Sequence, residues 1–205
     1  MRSAWVGVPI RRGVKLRVRI SRTAIKMEKI KNMIEPKSLD FQYADRAIQD
    51  YYPRHLSFCF GCGSNNRHGL HTRTYWDESR EIGICRFTPR SQHCGYRGAL
   101  HGGIIMSVIE CNSVATSIAA KYVQEQRPMG ENPLAHLFTL VKIEARFSKP
   151  VPIDANEVIV ETRVVKLGRI AKCKVAVFAD GRLCSTADTI TMHVPNEVVE
   201  KRFLR

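Results

Sequence analysis

The hydrophobic pattern of the chain changes character around residue 104. From Ile104 to Ala120 the sequence is apolar for about five turns, and Glu110 is its single charged residue. A helix apolar nearly all round is a buried helix. Five small positions lead into it: Gly95, Gly98, Ala99, Gly102 and Gly103. On either side the pattern becomes period two. Leu70–Trp76 and Glu81–Phe87 read as a hairpin around Asp77-Glu78-Ser79, closed by Pro89. After the polar break at 125–133, His136–Phe147 alternates, with Leu137, Thr139, Val141, Ile143, Ala145 and Phe147 on one face. Val158–Lys166, Ile170–Phe178 and Arg182–Val194 follow, separated by Leu167-Gly168-Arg169 and by Asp180-Gly181, a strong hairpin signal. Upstream, Ser38 caps a helix predicted through Tyr51 and stopped by Pro53. The order β-β-α-β-β-β-β predicts an α+β domain, an antiparallel sheet wrapped around one long central helix.

A membrane span competes with the buried-helix reading by length. Glu110, Asn112 and the hydroxyls of Ser107, Ser113, Thr116 and Ser117 argue against it, since polar groups are costly in lipid. The chain is therefore expected to work without a membrane, and seven irregularly spaced cysteines suit a reducing cytoplasm better than a disulfide framework.

Charge divides the chain. Of a formal net charge of +14, residues 1–37 carry +9, with 11 Lys/Arg against 2 Glu. Residues 1–37 are expected to be a basic, disordered extension, of which residues 1–33 are dispensable for folding, and residues 38–205 a single domain. Three readings of the extension stand side by side. It is a targeting segment, Arg-rich and acid-poor. It is an arm for nucleic acid, though no recognised module follows it and no nucleic-acid partner is expected. Or translation starts at Met27 or Met33. Between Val14 and Ile20 apolar and basic residues alternate with period two, which is not the period of an amphipathic targeting helix.

The candidate chemistry gathers on the central helix. A lone carboxylate in an apolar helix is costly when buried and unpaired, so Glu110 reads either as a structural acid with a basic partner or as a catalytic group held dry. The helix start favours the second reading. His101-Gly102-Gly103 leaves backbone N–H groups unencumbered at a helix N-terminus, suited to a developing oxyanion. Cys59-Phe60-Gly61-Cys62-Gly63 invites a metal or redox reading, with His68 and His71 spaced to complete a zinc set. The competing reading is a glycine-rich turn with packed thiols, and no metal is expected. Cys111 reads as an inert core thiol. Serine-hydrolase, P-loop and dinucleotide signatures are absent.

The stretch Gly95-Tyr96-x-Gly98-x-x-His101-Gly102-Gly103, an acid nine residues after the histidine, the Cys59–Leu70 segment and Arg146–Val151 together resemble the PaaI-like group of the hotdog-fold acyl-CoA thioesterases, over roughly residues 55–194. The resemblance implies a hotdog fold and hydrolysis of a small or medium acyl-CoA without a cofactor, CoA being part of the substrate. It implies that Gly102 N–H binds the thioester carbonyl, that His101 shapes the site, and that Glu110 is general base or nucleophile. Many members of the group carry Asp at that position. Some carry an amide side chain where this chain has Gly95, and some a hydroxyl on the next strand, where Thr139 and Leu140 fit equally. Gly103 and Arg97 belong with the substrate site. Arg146, Lys149 and Gly168-Arg169 are candidates for the CoA phosphates. The fold also hosts non-catalytic acyl-CoA binders and acyl-thioester dehydratases or hydratases, which remain the alternatives. His101 and Glu110 are half a turn out of phase and about 13 Å apart along one helix. One straight helix therefore cannot bring both to one carbonyl, and a homodimer or dimer of dimers with shared sites is expected.

Overall fold

The computed structural model of the chain describes residues 5–8, 16–19, 46–129, 134–195 and 198. The chain divides into two units, Met1–Leu39 and Asp40–Arg205. In the first, strands β1 (Trp5–Val8) and β2 (Leu16–Arg19) pair antiparallel, Trp5 opposite Arg19. β2 falls on the period-two stretch. Most of the expected disordered extension lies outside the described residues, as does most of the helix expected from Ser38. Of the latter, a single 3-10 turn is described, Ile48–Tyr51, whose Ile48 is fully buried.

The second unit is built on one sheet. Its strands are β3 (Arg73–Asp77), β4 (Ile82–Phe87), β5 (Leu137–Phe147), β6 (Val158–Lys166), β7 (Ile170–Ala179) and β8 (Arg182–Val194). They lie in the order β3-β4-β6-β7-β8-β5, every neighbour antiparallel. The β7–β8 turn has positive φ at Asp180 (46°) and Gly181 (76°), the backbone that the Asp-Gly signal anticipates. β3 begins later than the hydrophobic pattern suggests. Leu70 and Thr72 instead donate their N–H groups to Phe60 and Gly61 in the preceding loop.

Helix α1 (Gly102–Gln124) is the long element that packs on this sheet. By length and composition it would cross a membrane. Here its apolar side is covered by protein, with Ile105, Val108, Ile109, Ala115, Ile118 and Tyr122 buried. Most of its buried polar groups are paired, Asn112 Oδ1 being left without a partner among the described residues. Asn112 Nδ2 donates to Val160 O and Thr162 Oγ1, both at 2.9 Å. Thr189 Oγ1 donates to Ser113 Oγ, and Ser117 Oγ lies 2.8 Å from Thr191 Oγ1. These bonds fix the helix on the sheet and satisfy groups that lipid would leave costly. Closest approach falls at Gly83 of β4, where a Cβ would lie 1.9 Å from Thr116 Oγ1.

The sheet covers one side of α1 only. Gly103 and Glu110 are exposed and Ser107 and Val114 half-buried, forming an open stripe at helical spacing. The expectation that the helix buries Glu110 is corrected: its side chain is exposed, though partly enclosed beside Cys59 of the preceding loop. β5 is an edge strand with its outer side unpaired among the described residues, and its Val141 and Phe147 are 57% and 50% exposed.

Candidate active site

The loop before α1 is folded tightly by its own backbone. Cys94 bridges Leu100, Gly95 N–H donates to Ala99 O, and His101 N–H donates to His93 O at 2.8 Å. A Cβ on Gly95 would lie 3.0 Å from His101 Cα. Glycine is therefore what lets the loop close against the helix start. That accounts sterically for the missing amide side chain.

His101 is the N-cap of α1, with extended backbone (φ −64°, ψ 132°), and its Nδ1 accepts from Gly103 N–H at 2.9 Å. Nδ1 as acceptor leaves the ring proton of neutral His101 on Nε2. Its carbonyl accepts from the N–H groups of Ile104 and Ile105. Three of the first four helix donors are thus engaged, and Gly102 N–H has no acceptor among the described residues. Gly103, expected to contact substrate, has its N–H occupied. Its lack of a side chain makes room for the His101 ring, since a Cβ there would lie 2.9 Å from Nδ1. A Cβ on Gly102 would meet only Phe147, at an ordinary 3.8 Å.

Two turns further along α1, Glu110 lines a cleft of about 190 Å³ with Tyr52, Cys59, Cys62, Cys111 and Thr139. Burial, and then the nearby Cys59 sulfur, hold its carboxyl above the usual carboxylate range. No hydrogen bond or ion pair to Glu110 occurs among the described residues. Thr139 and Leu140 both reach this cleft, so the ambiguity between them persists.

The cysteine loop wraps around α1. Cys59 Sγ lies 3.7 Å from Cys111 Sγ, and the sulfurs of Cys59, Cys62 and Cys111 all lie within 4.8 Å of one another. One sulfur of the three carries the charge most readily. Hydrogen bonds from Cys111 and Cys62 hold Cys59 well below the usual thiol range. Cys111 is pushed well above it by its hydrogen bonds to Cys59 and Cys62 and by burial. His68 and His71 are not part of this group, and Cys111 stands where the spacing had suggested a histidine.

The basic candidates are split between the two ends of the sheet. Arg146 and Lys149 lie at the end of β5 nearest Gly102, and the Arg97 loop adjoins them through Leu100 N–H to Val151 O and Ile153 N–H to Gly98 O. Gly168 and Arg169 lie at the other end, where Arg169 O accepts from His193 N–H and the next residue, Ile170, sits two strands from Thr139. The separation along the strands is roughly 20 Å. All five are exposed. Nor does the structure bring Gly102 and Glu110 together within one chain: eight residues of helix separate them by about 12 Å. His136 and His193 form a chain with Glu125. His136 Nε2 lies 2.7 Å from Glu125 Oε2, and His136 Nδ1 lies 3.2 Å from His193 Nε2. With the Tyr122 hydroxyl accepting from Ala135 N–H, they tie the end of α1 to the start of β5.

Residues 97–185 match the thioesterase superfamily. A search of curated proteins finds no match. Among solved structures, a thioesterase superfamily protein from Shewanella loihica is similar at 22% identity, over 62% of this chain and 95% of its own, with a TM-score of 0.49. A thioesterase from Haemophilus influenzae is similar at 14% identity, over 65% of this chain and 85% of its own, with a TM-score of 0.51. A further thioesterase superfamily protein reaches 0.52 at 15% identity, over 83% of this chain and 77% of its own. The six-stranded antiparallel sheet on a single long helix is the hotdog fold that the sequence predicted. The sequence match to the thioesterase superfamily thus falls, over residues 97–185, within a hotdog-fold domain.

Proposed function

We propose that this chain is a PaaI-like acyl-CoA thioesterase that hydrolyses small or medium acyl-CoA esters at sites shared between two protomers. One observation carries the reading. Glu110 stands unpaired in a cleft on the same helix whose start leaves Gly102 N–H as its free donor. An acyl thioester needs a donor for the carbonyl oxygen as it becomes an oxyanion, and a base or nucleophile for the carbonyl carbon. In the proposed reaction the thioester oxygen accepts from Gly102 N–H. Glu110 either takes a proton from the attacking water or attacks itself to give a mixed anhydride, which water then opens. The C–S bond breaks, and the CoA sulfur leaves as thiolate and is protonated. The reaction so written draws on side chains, one backbone donor and water, with no resident cofactor.

Sharing between chains follows from β5. An unpaired eleven-residue edge with exposed Val141 and Phe147 is a template for another strand. Antiparallel pairing of two β5 edges about a twofold at Ile143 sets Phe147 of one protomer opposite Thr139 of the other. Phe147 packs on Gly102, and Thr139 shares the cleft with Glu110. Gly102 of one protomer is thereby carried to Glu110 of the other, and two equivalent sites form. The same pairing carries Arg169 of one protomer towards the Arg146 end of the other, which would gather the split basic groups around one CoA.

Thiol release from a panel of acyl-CoAs tests the reading directly. The expected result is turnover of short- and medium-chain esters by the purified protein. Saturable binding without thiol release would instead identify a non-catalytic acyl-CoA binder. Hydration of an enoyl-CoA without thiol release would identify a hydratase.

A further inference from the structure

Cys59, Cys62 and Cys111 form a built arrangement. Cys59 and Cys62 sit on the loop before β3, while Cys111 comes from the middle of α1, yet the three sulfurs converge within 4.8 Å. Both glycines of the loop are shaped by this convergence. A Cβ on Gly61 would lie 2.3 Å from Cys111 Sγ, so the loop closes directly over that sulfur. A Cβ on Gly63 would lie 2.5 Å from Cys59 N and 2.6 Å from Cys59 O, so the turn between the two cysteines is drawn tight. The turn is held from outside as well. Gly63 N–H donates to Cys59 O, Arg73 Nη1 donates to Cys62 O at 2.8 Å, and Thr72 Oγ1 donates to Gly61 O at 3.0 Å.

We propose that Cys59, Cys62 and Cys111 bind a thiophilic divalent cation, zinc in type, with its fourth position open to the cleft that Glu110 lines. The distances suit a metal. With Zn–S bonds of about 2.3 Å, tetrahedral geometry places sulfurs about 3.8 Å apart. Cys59 and Cys111 are already 3.7 Å apart. Convergence of three thiols rather than two points to coordination rather than to a disulfide, which joins two sulfurs at about 2.05 Å. Soft thiolate sets select zinc-like ions over magnesium or calcium. Cys59 is exposed and offers the way in, while Cys62 and Cys111 are buried beneath it. On binding, the thiol protons pass to solvent and the sulfurs become the ligands. Arg73, on the Cys62 carbonyl, partly offsets the negative charge of three thiolates around a dication. The site does not depend on the hydrolase reading, and neither proposal falls with the other.

The test uses the full chain, reduced, stripped with a chelator and titrated with Co²⁺ as the spectroscopic probe. The expected result is a sulfur-to-cobalt charge-transfer band and tetrahedral visible bands that saturate at one metal per chain and are displaced by Zn²⁺. Both should vanish in Cys59→Ser, a substitution at an exposed position, and in Cys111→Ser, and persist in Cys94→Ser. A reduced, folded chain that develops no tetrahedral cobalt spectrum overturns the proposal. So does a spectrum that survives Cys59→Ser, or a reduced protein that takes up no metal but forms a Cys59–Cys111 disulfide under mild oxidant.

Discussion

The raised pKa of Glu110 has consequences that a single substitution reads. Burial and the Cys59 sulfur disfavour its charge in the folded protein. A carboxyl whose folded pKa lies above its unfolded value favours folding while protonated, and that contribution is lost as pH rises through the folded pKa. At neutral pH the wild type therefore bears a cost that Glu110→Gln does not, and the variant should be as stable or more so. The difference should shrink as pH is lowered and the wild-type carboxyl protonates. Turnover should fall about 10²-fold or more in the same variant, the usual scale for a lost general base. In the wild type the acidic limb of the pH–rate profile should lie above the ordinary carboxylate range. Chemical denaturation across pH and steady-state kinetics measure both halves. Unchanged turnover with lowered stability would make Glu110 structural. The candidates Glu110, Gly102 and His101 came from local signals, helix-start glycines and a charge in an apolar run. Tyr52 and Cys111 were not legible in the sequence, since their place in the cleft rests on contacts across tens of residues that no spacing encodes. The exposure of Glu110 was misread for a related reason. Apolarity around a helix does not say whether its own sheet or another chain covers it.

At the level of elements, α1 and β4 meet where Gly83 faces Thr116. Glycine in a strand marks close backbone approach, but the hydrophobic pattern of Glu81–Phe87 gave no hint of what approaches. The strand signals themselves were sound where alternation and turn chemistry agreed, as at Val158–Lys166 and at Asp180-Gly181. They failed at Leu70–Thr72, whose backbone donors go to the cysteine loop instead of a ladder partner. Gly83→Ala should destabilise the domain by about 1–3 kcal/mol, the scale for overpacking a core. Adding Thr116→Ala should recover part of the loss, because the clash of 1.9 Å is with Thr116 Oγ1. Urea unfolding of the two variants checks this. Equal losses in the single and double variants would place the closest contact elsewhere.

The whole molecule poses the question of completeness. A helix with a partly exposed stripe, an edge strand with exposed apolar residues, and basic groups divided between two ends of a sheet are three features that the proposed second copy would account for. Helix phase had already pointed from sequence to a second copy, since it separates His101 from Glu110. The proposed route through β5 was not legible there, because an edge strand and an interior strand share one hydrophobic pattern. Subunit complementation tests the shared site most directly. Glu110→Gln removes the carboxylate. Gly102→Pro removes only the N–H, since proline suits the first helical position and His101 already has the extended backbone that precedes a proline. Each variant alone should be nearly inactive. After subunit exchange a heterodimer holds one site with both Gly102 and Glu110 intact. An equal mixture should then recover about a quarter of wild-type turnover, as half the dimers are mixed and each regains one of two sites. A mixture that stays as inactive as its parents, while heterodimers are seen to form by native mass spectrometry, would contradict the shared-site account.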